Sequence, residues 1–361
     1  MRQLKDFTFR LVAGANIVTA VLMLLVGYSD RIDAGAHPIV GLAGLAFPFF
    51  MAANAVFLAF WLCTRVRWAA IPVAGFLLAY GPVTTYCPVN VGRTVPKDAL
   101  KVLSYNVFNF QGWDAEHPDG EIVGYLLRQD ADVVCLQESG LTPWQREQLE
   151  RLMAPRYAWR DTSKCPACNG DEMALLSKMP IVRKEHVDYP SQSNHSCAWW
   201  LRTPQGDTVI VVNNHLESTA LSPQLKEGFK TMVKGDLHGD SAKAESRALV
   251  TKLADATARR APQARAVAQF VREHSRYPIV LCGDFNDSPI SYARRTIAST
   301  LTDCFTETGN GPGISYHGNA FFVRIDNIMC SRHFTPYSCR VDRSIAVSDH
   351  YPIVCRMTLG R

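Results

Sequence analysis

The chain has 361 residues, a fifth of them charged, and a formal net charge of +5, which leaves room for two domains. Its eleven cysteines are too few to staple a chain of this length, so buried apolar surface must supply most of the stability. The charge is unevenly shared: residues 1–93 hold seven Lys/Arg and three Asp, which leaves 31 basic and 30 acidic residues in the remainder. A remainder so close to neutral speaks against a domain that grips long nucleic acid by its phosphates.

Three stretches, Leu11 to Ser29, Ala34 to Thr64 and Trp68 to Gly92, contain no Asp, Glu, Lys or Arg. Each has the length a helix needs to cross a hydrocarbon core of roughly 30 Å. This predicts three transmembrane helices at about 11–29, 38–62 and 68–88, forming an anchor over residues 1–95. Tyr28, Trp61, Trp68 and Tyr80 lie near the ends, where amphipathic rings favour the interface. Pro72 and Pro82 should kink the third helix. A cleaved signal peptide ending near Ala34-Gly35-Ala36 is the alternative, but its apolar region would be too long and two more spans follow. Arg2, Lys5 and Arg10 precede the first span, and Arg65 and Arg67 separate the second from the third; the intervening loop holds Arg31 beside Asp30 and Asp33. That asymmetry places the N-terminus inside and residues 96–361 outside the cytoplasmic membrane. No charged residue sits at a span centre, so an anchor is favoured over an ion path.

The remainder alternates apolar runs with helical patterns. Strands are expected near 101–107, 132–136, 174–182 (broken by Pro180), 208–212, 277–282, 324–329 and 351–357, and helices near 119–129 and 143–152. Polar residues recur at the edges of these runs. Asn106, Glu138, His215, Asp284 and Asn286 stand at carboxyl ends; Asp326 and the pair Asp349-His350 lie within or beside strands. Carboxylates and amides gathered at one sheet rim suit hard cations such as Mg²⁺, Mn²⁺ or Ca²⁺. Two imidazoles suit proton transfer or a phosphate oxygen.

Ser104-Tyr105-Asn106-Val107, Gln137-Glu138, Asn213-Asn214-His215-Leu216, Gly283-Asp284-Phe285-Asn286, Arg324-Ile325-Asp326 and Ser348-Asp349-His350 resemble, in this order, the motifs of the endonuclease/exonuclease/phosphatase superfamily. The resemblance covers about 100–357. It implies an α/β fold, a four-layered α/β/β/α sandwich, and metal-dependent phosphoester hydrolysis with Mg²⁺ or Mn²⁺. It also implies roles. Glu138 would bind the metal with Asp349 and Asn106, and Asn106 and Lys178 would contact phosphate. Asp284 would orient or deprotonate water, and Asn286 would hold a phosphate oxygen. His215 and His350 would bind phosphate or act as acid and base, with Asp326 orienting His215.

The inositol phosphatase branch usually carries a Trp and an Asp-Arg pair where this chain has Arg324-Ile325-Asp326, which disfavours an inositol polyphosphate. A helical insertion is expected at about 217–275, with apolar residues at helical spacing in 248–257 and 264–271 and eleven basic against six acidic residues over 226–276. It reads as a solvated hairpin on the sheet or as a basic pair lying on anionic lipid through Arg259, Arg260 and Arg265. Cys165 and Cys168 suit a small disulfide loop, or zinc with His195 and Cys197. Cys135, Cys282 and Cys355 read as buried small hydrophobes. The expected activity is a membrane-anchored phosphodiesterase or phosphatase acting on lipid head groups. The alternatives are an extracytoplasmic nuclease acting on DNA or RNA and a non-catalytic membrane scaffold.

Overall fold

The computed structural model describes residues 2–360 apart from 118–119, 166–169, 220, 223, 226, 229–230, 232–238 and 319–320, and only the backbone of 239–242. Its strands are β1 (Leu100–Asn106), β2 (Val133–Gln137), β3 (Trp159–Lys164), β4 (Glu172–Ser177), β5 (Ile181–Val187), β6 (Ser196–Arg202), β7 (Thr208–His215), β8 (Ile279–Asp284), β9 (Thr302–Asp303), β10 (Asp326–Cys330), β11 (Phe334–Val341) and β12 (Ile353–Leu359). They form two sheets, ordered β11-β12-β1-β2-β4-β3 and β5-β6-β7-β8-β10-β9. Only β1–β2 and β7–β8 pair in parallel; every other described pairing is antiparallel.

Period-two alternation sorts the side chains. Val102, Val133, Cys135 and Leu175 of the first sheet meet Trp199, Val211, Val280, Cys282 and Ile328 of the second in one inter-sheet core. Leu103, Tyr105, Val134 and Leu136 turn the other way, onto helices Glu121–Gln129 and Pro143–Met153. Ile210, Val212, Ile279 and Leu281 likewise meet Ala264, Val267, Phe270 and Val271 of the long helix Gly239–Glu273. The result is the expected four-layered sandwich. Cys135, Cys282 and Cys355 are fully buried in its core.

Two expectations change. The run read as one strand broken by Pro180 is β4 and β5, which belong to different sheets; the chain crosses the sandwich there. The helical hairpin is one 35-residue helix that continues through Pro262. Apolar packing along 264–271 outweighs the one rung of backbone hydrogen bonding that proline removes. Arg260 is not available to lipid: it is 2% exposed and donates to Asp287 Oδ2 (3.2 Å), Glu217 O (3.1 Å) and Thr257 Oγ1 (2.9 Å).

At the N-terminus, Gln3–Arg31 and Pro38–Thr64 are long and apolar enough to cross a membrane. The third expected span is two pieces, Val66–Leu78 and Tyr80–Tyr86, bent by 71°. The bend has a cause. Pro82 cannot donate to Leu78 O, and that carbonyl accepts instead from Tyr28 Oη at 2.6 Å. Within the bundle, Asn16 Nδ2 donates to Asn54 Oδ1 (3.2 Å), Trp61 Nε1 to Asn16 Oδ1 (3.0 Å) and Asn54 Nδ2 to Pro72 O (3.0 Å). Such polar bridges hold helices together where the apolar surroundings provide no hydrophobic drive.

The bundle is seated on the sandwich by Asp33, in the turn after the first helix, and by the first turns of Pro38–Thr64. A Cβ on Gly44 would lie 1.9 Å from Ile290 O, and one on Gly41 3.0 Å from Thr257 Cγ2. Asp33 pairs with Arg265 (3.1 Å), and Ile290 joins an apolar cluster with Met23, Phe47 and Ala79. Asn90 Nδ2 donates to Thr306 O (3.0 Å) and Gly309 O (2.7 Å).

Candidate active site

The parallel pairs put their carboxyl ends at one rim. Asn106 lies opposite Gln137, so Glu138 follows at once; His215 lies opposite Asp284. Antiparallel strands reach that rim by their amino ends. β10 begins there with Asp326 opposite Asp284, and β4 is preceded there by Asp171. Gly283 has φ +130°, and a Cβ on it would lie 1.9 Å from Asn214 O, so β7 and β8 can pair this closely only with glycine at that position. Glu138 and Asn286 are held at φ 48° and 52°, left-handed conformations that cost energy and concentrate at functional sites.

A chain of side chains crosses the rim. Asp171 Oδ2 meets His215 Nδ1 at 2.6 Å; His215 Nε2 lies 3.7 Å from Asp284 Oδ2; His350 Nε2 lies 3.6 Å from the same oxygen; His350 Nδ1 meets Asp326 Oδ2 at 2.8 Å. Asn106 Nδ2 bridges Glu138 Oε1 (3.0 Å) and Asp284 Oδ2 (3.2 Å), while its Oδ1 accepts from the Phe108 N–H. Asp171 Oδ1 accepts from the Glu138 N–H (3.1 Å). Asn286 N–H caps Asp284 Oδ1 (2.8 Å), and its Nδ2 donates to Leu216 O (3.0 Å). Ser348 Oγ ties the approach to His350 onto Asn106 O (2.7 Å).

Burial alone would push both imidazoles toward neutrality, but the carboxylates win. Asp171, Asp284 and Glu138 raise His215 to about 9, and Asp326 and Asp284 raise His350 to about 10. Both are imidazolium ions at neutral pH. Burial pushes Asp284 up to about 6, against the pull of His350 and His215. Two atoms of the cluster, His215 Nε2 and Asp326 Oδ1, are buried without a hydrogen-bond partner, which is costly unless a ligand completes them. Ligand atoms of Asp284, Asp326 and His350 lie within 4.8 Å of one another; the two carboxylates suit a divalent cation, while His350, protonated, offers no lone pair and faces an anion instead.

Eight of the nine side chains expected at a site gather here: Asn106, Glu138, His215, Asp284, Asn286, Asp326, Asp349 and His350 line or flank one cavity. Lys178 does not. It follows β4, which runs antiparallel to β2, so it lies at the opposite rim, paired with Asp130 (2.8 Å) and Asp132 (3.4 Å). Asp326 orients His350 rather than His215; the partner of His215 is Asp171. Asp171 precedes its strand, and the sequence marks it only as the first of an acidic pair, Asp171-Glu172, at the start of a buried run. His195 does not join a zinc site. Its Nε2 lies 2.9 Å from Ser163 Oγ, Cys197 is packed in the inter-sheet core and Cys165 is disulfide-bonded; Cys168 lies outside the described residues.

The cavity has a volume of about 230 Å³. One wall is the polar rim cluster, with Glu138, Asp284, Asn286, Asp349 and His350; another is apolar and includes Leu42 and Leu45 from the first turns of the stretch Pro38–Thr64.

Known proteins agree with this architecture. The family model described as Endonuclease/Exonuclease/phosphatase family matches residues 103–350, and one described as a domain of unknown function matches residues 9–86. No curated protein matches the chain. Among solved structures, sphingomyelinase C from Streptomyces griseocarneus is 20% identical, with a TM-score of 0.50, over 72% of this chain and 99% of that one. The human Nocturnin catalytic domain with bound sulfate is 16% identical, with a TM-score of 0.50, over 74% and 96%. D. rerio TDP2 complexed with single strand DNA product is 17% identical, with a TM-score of 0.50, over 73% and 100%. At these identities the likenesses speak for the fold. The chain belongs to the Endonuclease/Exonuclease/phosphatase family, whose members are hydrolases of phosphoester bonds and generally depend on a divalent metal ion.

Proposed function

We propose that the chain is a membrane-anchored phosphoester hydrolase, with an anchor over residues 1–95 and a catalytic domain over 96–361, that acts on phosphoester lipids with the aid of Mg²⁺ or Mn²⁺. The observation that carries this reading is the place of the catalytic cluster: it shares a cavity with Leu42 and Leu45, which lie in the first turns of the second membrane-length stretch, Pro38–Thr64. A soluble nuclease has no use for such a wall.

Glu138 and Asp349, with Asp284 and Asp326 close by, supply the carboxylates that would hold the cation. The bound cation would offset charge on the transferring phosphoryl oxygens. Asp284, its Oδ1 fixed by the Asn286 N–H, orients the attacking water and accepts its proton, a task suited to a carboxyl raised toward neutrality. His215 and His350 turn Nε2 toward the reacting group because Asp171 and Asp326 occupy Nδ1. As imidazolium ions they bind phosphate oxygens and can protonate the leaving oxygen. Asn106 keeps Glu138 and Asp284 together, and the second hydrogen of the Asn286 Nδ2 amide is left for a phosphate oxygen.

The same reading places the domain outside the cytoplasmic membrane. Lys5, Arg10, Arg65 and Arg67 belong to the bundle end away from the sandwich, where Arg65 pairs with Asp6, which supports a cytoplasmic location for that end. A reporter fused to the C-terminus reads this directly; a cytoplasmic signal would overturn it. For the activity, the full-length protein is offered a panel of phospholipids, nucleotides and DNA, with Asp284→Ala as control. Release of phosphate or head group from lipid by the wild type alone is expected. Hydrolysis restricted to DNA would replace the lipid reading with a nuclease.

A further inference from the structure

Two cavities open from the cluster in different directions and share Glu138 and Ser218. The first, walled by Leu42, Leu45, Leu221 and Leu253, contains the Asp284–His350 end of the side-chain chain. The second, of about 740 Å³, is polar; it contains the Asp171–His215 end and runs past Lys164, Glu172 and Asn194. The phosphate-facing side chains therefore sit at the junction of an apolar and a polar compartment. A phosphate with one apolar and one polar substituent matches that division; a polyanion with polar substituents on both sides does not.

The apolar wall is also built to stay in place. Leu45 is 39% exposed and Phe108, beside it in the cavity, 38%. Yet the segment carrying Leu42 and Leu45 is seated rigidly, because Gly41 and Gly44 pack directly on Thr257 and on the Ile290 carbonyl, and Asp33 is clamped by Arg265. An exposed Leu45 beside a half-buried Leu42, held on a fixed segment next to carboxylates, gains by shedding water onto an apolar ligand.

Resting on the lipid reading above, we infer that the start of the second membrane-length helical stretch, residues 38–46, is a specificity-determining wall of the substrate site. It holds the apolar portion of an amphiphilic phosphodiester on Leu42 and Leu45 while the polar substituent lies in the Lys164–Asn194 groove. The N-terminal unit is thus part of the active site as well as an anchor. In the reaction, water oxygen bonds to phosphorus and one ester P–O bond breaks. One water proton ends on the released alcohol, and the other stays with the hydroxyl of the phosphomonoester. The substrate is a diester because each compartment takes one substituent.

The test compares two substrates of the full-length protein. One is phospholipid in vesicles of equal parts phosphatidylcholine and phosphatidylglycerol; the other is soluble bis(p-nitrophenyl) phosphate. Leu45→Gln should lower kcat/KM on vesicle lipid by about tenfold, the order set by loss of a small apolar contact, and lower it by a smaller factor on the soluble diester, whose aryl ring covers less of the wall than an acyl chain does. Leu45→Met should keep both, and Leu42→Gln/Leu45→Gln should widen the gap. An equal fall on both substrates, or an unchanged ratio in the double variant, would overturn the wall while leaving lipid hydrolysis intact. A wild type that cleaves the soluble diester but no lipid would overturn the wall and the lipid reading together.

Discussion

The helical bundle and the sheet rim each bury a polar network, Asn16–Asn54–Trp61 in one and the histidine–carboxylate chain in the other, and the two networks are completed differently. In the bundle, Asn16, Asn54 and Trp61 close on one another and on the Pro72 carbonyl; such a network serves packing. At the rim, His215 Nε2 and Asp326 Oδ1 are buried with no partner, although Asp171 and the Asp284–Asn286 turn are fully engaged around them. A folded chain tolerates an orphaned buried polar atom where something outside the chain completes it. The contrast separates polar residues that hold the fold from polar residues that wait for a ligand.

The contrast can be broken most sharply at the rim. His350→Ala should lower kcat/KM by about 10²–10⁴-fold, the usual range for a general acid or phosphate-binding group, with thermal unfolding in detergent little changed; activity within twofold of wild type would remove His350 from the mechanism. Arg260→Ala tests a buried group that is already satisfied. It leaves Asp287 buried beside nothing, so stability should fall by about 3–5 kcal/mol, read as a lowered unfolding midpoint. A shift no larger than that of an exposed Arg259→Ala control would contradict the burial argument.

Asp171→Asn sharpens the electrostatic side. Asp171 is the leading group that raises His215 against burial, to about 9. A raised folded value means that the charged form, and whatever it contributes, is fully present below the ordinary histidine value near 6.5 and is lost as pH rises through about 9. The wild-type pH–rate profile should therefore fall on its alkaline side near pH 9. Asp171→Asn should move that limb downward and cost about 10–100-fold at neutral pH; an unmoved limb would refute the pairing. Asn54→Leu tests the bundle. It should cost about 1 kcal/mol of stability and leave kcat on the soluble diester unchanged. Lys178→Ala is the smallest expected effect: its ion pairs lie at the far rim and are partly exposed, so activity should be unchanged and stability should move by less than about 1 kcal/mol.

How much of this was legible beforehand follows from strand direction. Asn106, Glu138, His215 and Asp284 end the strands of two parallel pairs, and a short apolar run followed by a polar residue marks such ends clearly. Asp171 and Lys178 flank the same strand, β4; the resemblance implies a role for Lys178 and none for Asp171, and the antiparallel direction of β4 reverses which of them reaches the rim; nothing local in residues 172–177 reveals that direction. The partner of Asp326 was misjudged for a related reason: ring pairing depends on how the two sheets face each other. The layers themselves were readable, since period-two and helical patterns specify which face is buried. The single helix through Pro262 was not, because its continuity comes from tertiary packing on the second sheet. The seating of residues 38–46 on the sandwich was also hidden, since Gly41 and Gly44 acquire their meaning only from Thr257 and Ile290, over two hundred residues away.

The central claim is that the unpartnered atoms at the rim await a divalent cation and a phosphoester. Calorimetric titration of Mn²⁺ into the full-length protein in detergent, with hydrolysis of bis(p-nitrophenyl) phosphate followed on the same samples, tests it most directly. The wild type should bind Mn²⁺ and hydrolyse the diester, and both should disappear in Asp284→Ala while its unfolding midpoint is retained. Mn²⁺ binding and hydrolysis that persist unchanged in Asp284→Ala would place the chemistry elsewhere in the molecule.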